Sequence, residues 1–280
     1  MLSYRHGFHA GNHADVLKHF VCVAIAEYLQ KKESPYCYID THSGAGAYSL
    51  HGSLANKTQE YKNGIGRLYK QAKLPELSTY LDLVGQINQD AKLDLYPGSP
   101  LFMTTMLREQ DQAHLFEMHP QDYATLEKNN QGNSAVKTYK QDGFAGLKAL
   151  LPPKAKRGFV IIDPPYEQAQ EYKNVQQAIE QSLKRFAIGV YAVWYPLINR
   201  NDKQGLSEKM VEGLKKLNHT KYLDARFWVS ENTEGMYGSG LFIVNPPYVL
   251  EQQLKKVLPF LVETLGLDET AGYSLNYIEK

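Results

Sequence analysis

The residues with the clearest chemical potential are Asp163-Pro164-Pro165-Tyr166, which follow an apolar run at 159–162. The run predicts a buried strand of a parallel sheet, which the two prolines end because proline cannot donate to a ladder. The loop therefore presents acceptors, the Asp163 carboxylate and the Pro164 carbonyl, together with the ring of Tyr166. Two acceptors and an aromatic face suit a flat ring that bears an amino group. The alternative is a rigid turn closed by a tyrosine.

This tetrapeptide resembles the signature of amino methyltransferases that act on adenine N6 or cytosine N4. A second match, Asn245-Pro246-Pro247-Tyr248, occurs later in the chain. Strand order separates the two, because Asp163 follows the fourth predicted strand of the main sheet and Asn245 the seventh. The seventh strand of a class I methyltransferase is usually antiparallel, which would place Asn245 at the opposite edge. We therefore interpret the Asn245 turn as structural.

A glycine-rich turn at 41–46 follows the predicted strand 36–40. Glycine lets a ligand approach the backbone closely, so Gly44 and Gly46 are candidate binding residues. The turn lacks the spacing of the common phosphate-binding motifs. The pattern Asp-x-x-x-Gly-x-Gly instead resembles the S-adenosylmethionine loop of class I methyltransferases.

Acidic residues follow the next two predicted strands, 113–117 and 135–139. In nucleoside-binding α/β folds, an acid at the end of the second strand bonds the ribose hydroxyls, which makes Glu117 the candidate here. Asp142 could accept from the amino group of a cofactor adenine. A helix cap or a surface charge is the alternative for each acid. Ser99, before Pro100, is expected to cap a helix.

The alternation of strands and helices predicts an α/β fold, and the resemblance of the motifs to class I methyltransferases implies a Rossmann-like seven-stranded sheet with helices on both faces. This domain would comprise 1–46 and 97–280. The span 47–96 reads as a small helical insertion, with helical spacing over 57–71, and it either contacts substrate or decorates the fold. The fifth strand is expected to end at Pro196.

The first twenty residues are expected to form a lid over the site, because they hold four of the nine histidines. A helix is predicted to start at Asn12 or His13. No cysteine or carboxylate set completes a metal-ligand pattern with these histidines, so no metal is expected. A solvated basic N-terminus is the alternative to a lid.

The composition is that of an ordinary globular protein, with 43% hydrophobic residues and a net charge of +1. No apolar run is long enough to span a bilayer, and the polar N-terminus does not look like a signal peptide. Cys22 and Cys37 are too few for a disulfide framework. We expect a cytoplasmic protein without membrane association, whose contact with nucleic acid would rely on a local basic face.

The N-terminal run, together with the motifs above and the stretch 97–100, resembles the bacterial 23S rRNA adenine-N6 methyltransferase family J over essentially the whole chain. The matching stretches are Tyr4-Arg5-His6-x-Phe8-His9-Ala10-Gly11-Asn12-His13-Ala14-Asp15-Val16-x-Lys18-His19, Asp40-Thr41-His42, Gly44-Ala45-Gly46, Pro97-Gly98-Ser99-Pro100 and Asp163-Pro164-Pro165-Tyr166. The N-terminal run is the specific part of this resemblance.

The resemblance implies transfer of a methyl group from S-adenosylmethionine to N6 of one adenosine in 23S rRNA, on naked rRNA before large-subunit assembly, by a monomer without an obligate protein partner. Asp163 would be the catalytic acceptor and Tyr4 a substrate contact. We expect Tyr166 to stack the flipped adenine, and Arg5, Lys18 and nearby histidines, including His6, to meet phosphates. The implied cofactor contacts are His19, His42, Ser99, Glu117, Asp142, Gly143 and Asp163.

Three alternatives remain open from the motifs. Adenine in DNA presents the same amino group, so the enzyme could be a DNA adenine-N6 methyltransferase, although no target-recognition domain is recognisable. Cytosine N4 is the second alternative. The third is a non-enzymatic nucleic-acid-binding module on a methyltransferase fold, which the intact Gly44, Gly46, Asp163 and Tyr166 disfavour.

Overall fold

The computed structural model describes residues 5–71, 74–89, 92–200 and 202–280. These residues form one large sheet, a small two-stranded sheet and the helices around them. The strands are β1 (Cys37–Asp40), β2 (Ala47–Ser49), β3 (Leu95–Pro97), β4 (Gln112–Phe116), β5 (Val136–Tyr139), β6 (Gly158–Ile162), β7 (Val190–Asn199), β8 (Lys221–Trp228), β9 (Gly235–Val244) and β10 (Gly272–Glu279).

The α-helices of the described ranges connect these strands. They are α1 (His13–Gln30), α2 (Ala55–Thr58), α3 (Ile65–Gln71), α4 (Ser78–Ile87), α5 (Ser99–Met106), α6 (Pro120–Asn129), α7 (Gly143–Leu150), α8 (Ala169–Arg185), α9 (Leu206–Lys215) and α10 (Leu250–Leu265). Across the part of the chain that the structure describes, none of the helices combines the length and the apolar character needed to cross a membrane.

The large sheet has the order β10-β8-β9-β7-β6-β1-β4-β5. The strands β5, β4, β1, β6 and β7 run parallel, and β9 is antiparallel to both β7 and β8. The class I methyltransferase fold is therefore confirmed, including its antiparallel seventh strand. The expected number of seven strands is wrong, because β10 adds an eighth at the edge. Its residues are half-buried or exposed, so no apolar pattern marks it in the sequence.

Alternating side chains of the central strands build a separate core on each face of the sheet. In β6, Phe159 and Ile161 pack into the core that contains α1 and α10, whereas Val160 and Ile162 pack into the core that contains α8 and α9. All five residues of β6 are buried, as the apolar run predicts. The sheet is thus covered on both faces, and its strand ends are the places left for a site.

Strand β7 continues through Pro196 to Asn199, so the expected end at Pro196 is wrong. On one side β7 pairs with β6 only as far as Val193, and beyond that point it pairs with β9 alone. A proline can occupy such a position because no strand on the other side needs its missing N–H. The strand therefore projects past β6 and forms a wall beside the loop that begins at Asp163.

The span 47–96 is an insertion whose two ends lie side by side. Strand β2 pairs with β3, and the Gly98 amide donates to the Gly46 carbonyl at 2.8 Å. The expected helix over 57–71 is interrupted, because Gln59 has a φ of 54° and a 3₁₀ turn follows it. The insertion packs on the N-terminal segment, where the Ile65 amide donates to the Gly11 carbonyl at 2.8 Å.

Helix α1 begins at His13, as expected. The side-chain oxygen of Asn12 accepts from the amides of Ala14 and Asp15, which makes Asn12 the N-cap. Most of the helix is buried, including its polar residues Lys18 and His19. Buried polar groups need partners, so the N-terminal part of α1 must face polar groups from the rest of the fold.

Gly143 opens α7 and touches the backbone that follows β1. A Cβ at this position would lie 2.2 Å from the Thr41 carbonyl oxygen and 2.6 Å from its Cα. We expect Gly143→Ala to lower the free energy of unfolding by about 1–3 kcal/mol, because backbone rather than a flexible side chain must move. Urea denaturation of the wild type and the variant measures this loss.

The matched control is Gly52→Ala, whose Cβ would have no neighbour nearer than 3.4 Å. Neither glycine has a positive φ, so backbone strain does not enter the comparison. Equal free energies of unfolding for the two variants would contradict this expectation, because they would show that α7 and the Thr41 backbone can move apart without loss of stability.

Candidate active site

A cavity of about 630 Å³ lies at the carboxyl ends of the parallel strands. This is the edge where ligands bind in open α/β sheets, and the volume is within the roughly 300–1,000 Å³ of small-molecule sites. Because Asp40 pairs with Ile161, the loops that follow β1 and β6 emerge side by side. The N-terminal segment, α1, β7 and the start of β9 supply the other walls.

The cavity gathers most of the residues that the sequence singles out. Of the predicted substrate contacts, Arg5 does not line it, and Tyr4 lies outside the described residues. Gly46 also does not line it. The predicted residues that do line it are His6, Lys18, His19, His42, Gly44, Ser99, Glu117, Asp142, Gly143, Asp163, Pro164 and Tyr166.

The turn after β1 requires glycine for both conformational and steric reasons. Gly44 has a φ of +61°, and a Cβ there would lie 2.2 Å from the Tyr48 hydroxyl. The Gly44 amide donates to Glu117 at 2.8 Å, and the amide of Ala45 donates to the Tyr48 hydroxyl at 3.1 Å. The turn is therefore fixed from outside, with its backbone close to the cavity.

Asp40, fully buried at the end of β1, links this turn to α5. Its carboxylate accepts from the Tyr38 hydroxyl at 2.8 Å, the Ser99 hydroxyl at 2.7 Å and the His42 amide at 3.2 Å. Burial raises the pKa of Asp40 to about 6, against the lowering effect of these hydrogen bonds. The expected cap is wrong, because Gly98 is the N-cap of α5 and the Ser99 hydroxyl is used by Asp40.

Glu117 and Asp142 both hold backbone at the cavity rim. The Glu117 carboxylate accepts from the amides of Gly44 and His119, at 2.8 and 2.6 Å, and burial raises its pKa. Asp142 is the N-cap of α7 and accepts from the Phe144 amide at 2.9 Å. The helix-cap alternative therefore holds for Asp142, although its carboxylate also faces the cavity.

Two of the histidines that line the cavity, His19 and His42, are neutral at pH 7. Burial lowers the pKa of His42 to about 4, and the ring packs edge-on against Phe144 at 5.2 Å. Burial, with a further contribution from Lys18, holds the pKa of His19 well below its usual value. His19 Nδ1 bonds the Tyr96 hydroxyl at 2.8 Å, whereas its Nε2 has no hydrogen-bond partner within the described part of the chain.

An ion network joins α1 to the loop after β6. The Lys18 ammonium lies 2.7 Å from Asp163 Oδ2 and 2.9 Å from Asp15 Oδ1, and its side chain is 5% exposed. Burial alone would lower the pKa of Lys18, but Asp15 and Asp163 outweigh it and hold that pKa well above its usual value. Asp15 also accepts from the Gly11 amide and lies 2.9 Å from His6 Nε2.

This network gives Lys18 a different position from the phosphate contact that the sequence suggests. Its ammonium faces two carboxylates inside the cavity, whereas Arg5 crosses to α6 and bonds Gln121 at 2.7 Å and Asp122 at 3.3 Å. Lysine side chains usually lie in solvent, so the sequence alone favours an exposed Lys18 that is available to phosphates. The structure instead buries Lys18 between two carboxylates. In this conformation both cations contact acceptors of the protein itself.

Tyr166 is buried, with 1% of its surface exposed. Its hydroxyl donates to the Trp194 carbonyl at 2.7 Å, and its ring packs on Tyr172 at 4.5 Å. The residue has a φ of 51°, which turns the side chain from the loop into the core of the α8 face. In this conformation Tyr166 has no free face for a base, and stacking by Tyr166 stays a prediction.

The second Pro-Pro-Tyr turn is at a different place in the fold. The Asn245 amide group donates to the carbonyls of Ala187 and Gly189, at 2.7 and 2.8 Å, and neither Asn245 nor Tyr248 lines the cavity. Because β9 is antiparallel to β7, this turn lies at the amino ends of the parallel strands, whereas Asp163 lies at their carboxyl ends. The geometry agrees with a structural role.

The chain is similar over its whole length to proteins named as ribosomal RNA large subunit methyltransferases. The family model for ribosomal RNA large subunit methyltransferase D, RlmJ, matches residues 33–279. Ribosomal RNA large subunit methyltransferase J of Escherichia coli K12 is 46% identical over 281 residues, and its Haemophilus influenzae counterpart is 44% identical over 282, each alignment covering 99% of both chains.

This chain belongs to the RlmJ family of methyltransferases. A crystal structure of a Legionella pneumophila protein, 36% identical, superposes with a TM-score of 0.87 over 96% of this chain and 98% of that one. The predicted family is thereby confirmed, and the chain is an S-adenosylmethionine-dependent rRNA methyltransferase.

The cavity of this RlmJ-family chain fits the methyl donor. The donor has a ribose diol and an adenine amino group, for which Glu117 and Asp142 offer carboxylates at the rim. Its amino-acid part is polar, and the buried Nε2 of His19 has no hydrogen-bond partner in the described structure, with Asp15 no nearer than 3.9 Å. We expect the backbone of the Gly44 turn to pass beside the donor, where a Cβ has no room.

Asp15 and Trp194 are among the site residues that the sequence prediction missed. Asp15 precedes Lys18 and His19 by three and four residues, a spacing that places all three on one face of a helix and was a usable signal. Trp194 lines the cavity from β7, where its position next to an expected strand end concealed it. No group of three or more His, Cys, Asp or Glu side chains within the described ranges is placed to hold a metal.

The raised pKa of Asp40 predicts a pH-dependent stability. The folded pKa of about 6 exceeds the ordinary value of 3.8. The contribution that protonated Asp40 makes to the free energy of unfolding is therefore fully present below pH 3.8 and is lost as the pH rises through 6. We expect Asp40→Asn to remove this loss. Between pH 4.5 and 7.5, the free energy of unfolding of the wild type should fall by about 2 kcal/mol relative to the variant.

Urea denaturation of both proteins across this pH range measures the difference. Titrations common to the two proteins cancel, and a hydrogen bond lost in the variant shifts the difference equally at every pH. A difference that is constant with pH would show that Asp40 is charged at no cost in the folded protein.

Proposed function

We propose that this enzyme methylates N6 of a specific adenosine in 23S rRNA. One observation carries the proposal, which is the position of Asp163 and Pro164 in the cavity beside the Gly44 turn. Parallel pairing of β1 and β6 brings an acceptor loop next to a loop that suits the methyl donor. The relatives named as ribosomal RNA large subunit methyltransferases support RNA as the substrate class.

The acceptors address the difficulty of the reaction. The N6 lone pair of adenine is delocalised into the ring, so the amino group is a poor nucleophile. Asp163 and the Pro164 carbonyl would accept its two hydrogens and favour a pyramidal nitrogen whose lone pair points at the methyl carbon. When bound, S-adenosylmethionine supplies an electrophilic methyl group, and the residues supply positioning and acceptor electrostatics.

Lys18 fixes the acceptor and sets its charge environment. Its ammonium holds Oδ2 of Asp163, and Asp15 holds the ammonium from the other side. Asp163 therefore presents a fixed edge to the amino group. Deprotonation before methyl transfer is not needed, because the proton leaves N6 readily once the nitrogen carries the methyl group. His6 lies 2.9 Å from Asp15 and is more exposed, so it adds a further polar group to the network around Lys18.

The RNA would reach this site through local basic groups, because the net charge is only +1. Arg200 and Lys203 line the cavity on the side of β7. Arg200 pairs with the exposed Asp202 and Lys203 donates to the Tyr166 carbonyl, and both would exchange these contacts for phosphates that flank the target nucleotide. Tyr4 would contact the substrate from the N-terminal segment. We propose that a monomer without an obligate protein partner acts in the bacterial cytoplasm on naked rRNA before subunit assembly.

We expect Asp163→Ala to lower kcat by at least roughly 100- to 1,000-fold, because the main acceptor for the amino group is lost. Single-turnover methyl transfer onto 23S rRNA measures the effect, and circular dichroism with thermal unfolding shows whether the variant is folded. The matched control is Asn245→Ala, which changes the first residue of the other Pro-Pro-Tyr turn, outside the cavity. Normal turnover by the folded Asp163→Ala protein would exclude the proposed chemistry.

The substrate class is tested by offering unmodified 23S rRNA, assembled large subunits and duplex DNA with labelled S-adenosylmethionine. We expect the label on naked rRNA, as N6-methyladenosine after nuclease digestion. Label in DNA alone would leave the chemistry and overturn the RNA substrate, whereas label on cytosine N4 would overturn the base. Label on assembled subunits alone would overturn only the proposed stage.

A further inference from the structure

The extension of β7 places an aromatic side chain beside the acceptor. Ile162 of β6 pairs with Val193 of β7, so the residues that come next on the two strands are Asp163 and Trp194. In a parallel pair, neighbours in register point to the same face of the sheet. Both residues line the cavity, and the Lys18 ammonium lies 2.7 Å from the Asp163 carboxylate and 5.8 Å from the centre of the Trp194 ring.

Trp194 is partly exposed, in contrast to the buried Tyr166. Its indole nitrogen has no hydrogen-bond partner in the part of the chain that the structure describes. The indole is therefore held by packing, by the contact between the ring and the Lys18 ammonium, and by the bond from Tyr166 to its backbone carbonyl. The hydrogen bond from Tyr166 thus helps to fix the backbone of Trp194.

The wall around Trp194 is apolar. Pro196 and Ile198 follow it at alternate positions of β7, and Met236 pairs with Ile198 from β9. All of these residues line the cavity. A flat wall of indole, proline and aliphatic groups with acceptors at one end suits a purine whose ring stacks and whose amino group points to Asp163.

We propose that Trp194 is the aromatic wall on which the target adenine stacks. The inference rests on the proposed function, since it identifies the base-binding surface of that same site. Tyr166 then acts indirectly, through the hydrogen bond that fixes the Trp194 backbone. Lys18 links the two parts of the site, because one ammonium touches both the acceptor and the stacking surface.

The composition of the chain gives a direct optical test, because it contains only two tryptophans, Trp194 and Trp228. Trp228 lies on β8 outside the cavity, with its indole nitrogen donating to the Thr270 carbonyl at 2.9 Å. The variant Trp228→Phe leaves Trp194 as the single tryptophan, whose emission is selected by excitation at wavelengths that the tyrosines do not absorb. We expect it to keep the wild-type rate of methyl transfer.

The probe is adenosine monophosphate, titrated into the Trp228→Phe protein with S-adenosylhomocysteine present so that no turnover occurs. We expect saturable quenching of Trp194 emission by adenosine monophosphate, with no saturable quenching by ribose 5-phosphate. The Trp194→Phe protein, which retains only Trp228, should show no saturable quenching. Binding of adenosine monophosphate by calorimetry without quenching of Trp194 would overturn the inference.

Kinetics of methyl transfer supply the second measurement. Loss of one stacked base predicts a fall in kcat/KM for 23S rRNA of roughly 5- to 150-fold in Trp194→Ala. In Trp194→Phe, which keeps an aromatic face, we expect a clearly smaller fall in kcat/KM than in Trp194→Ala. Affinity for S-adenosylmethionine should be unchanged in both variants, because the stacking wall serves the other ligand.

The two proposals fail in different ways. If the wild type does not form N6-methyladenosine in RNA, the proposed function fails, while the fluorescence titration still reports whether an adenine reaches Trp194. If the wild type methylates adenosine and a folded Trp194→Ala protein does so with unchanged kcat/KM, the role of Trp194 alone is overturned. Equal losses in the Ala and Phe variants would also overturn it, because stacking requires the aromatic face that phenylalanine keeps.

Discussion

The site depends on one buried ammonium between two carboxylates. Removing three charges from water is costly, and their attraction offsets that cost only when the geometry is well fixed. Lys18 belongs to α1, and Asp163 to the end of β6, so the pairing ties the first helix to the central strand. If Lys18 were removed, the carboxylates of Asp15 and Asp163 would lose the ammonium that they share, so Lys18 is the member on which the other two depend.

The other loops are joined by similar links across strand ends. Glu117, after β4, bonds the Gly44 turn, and Ser99, at the start of α5, bonds Asp40. Gly143 brings α7 against the Thr41 backbone. Each link connects the loop that follows β1 to another element. The cavity is therefore built around the end of β1, and its shape is set by short polar contacts rather than by one apolar pocket.

Much of this arrangement follows from local sequence patterns. The apolar run before Asp163 defines a strand that is buried on both faces, and strand order separates Asp163 from Asn245. The sequence does not report what lies across the sheet from a residue. The surroundings of Lys18, the burial of Tyr166 and the bond from Ser99 to Asp40 depend on contacts between residues 59 to 145 positions apart or on a single positive φ. Such contacts need the assembled fold.

The hydrogen bond between the Gly98 amide and the Gly46 carbonyl closes the base of the insertion. The two ends of the insertion are thus adjacent, so the sheet does not need a fixed length of chain between them. Closing a longer loop costs little additional entropy, so this position tolerates growth or shrinkage during evolution. The inner side of the insertion is constrained, because Glu60 bonds His9 and Asn12 and because Ile65, Leu68 and Leu77 are buried in the core. Changes in length are therefore expected at the exposed turns of the insertion, whereas the buried faces of its helices α3 and α4 must be kept to complete the core.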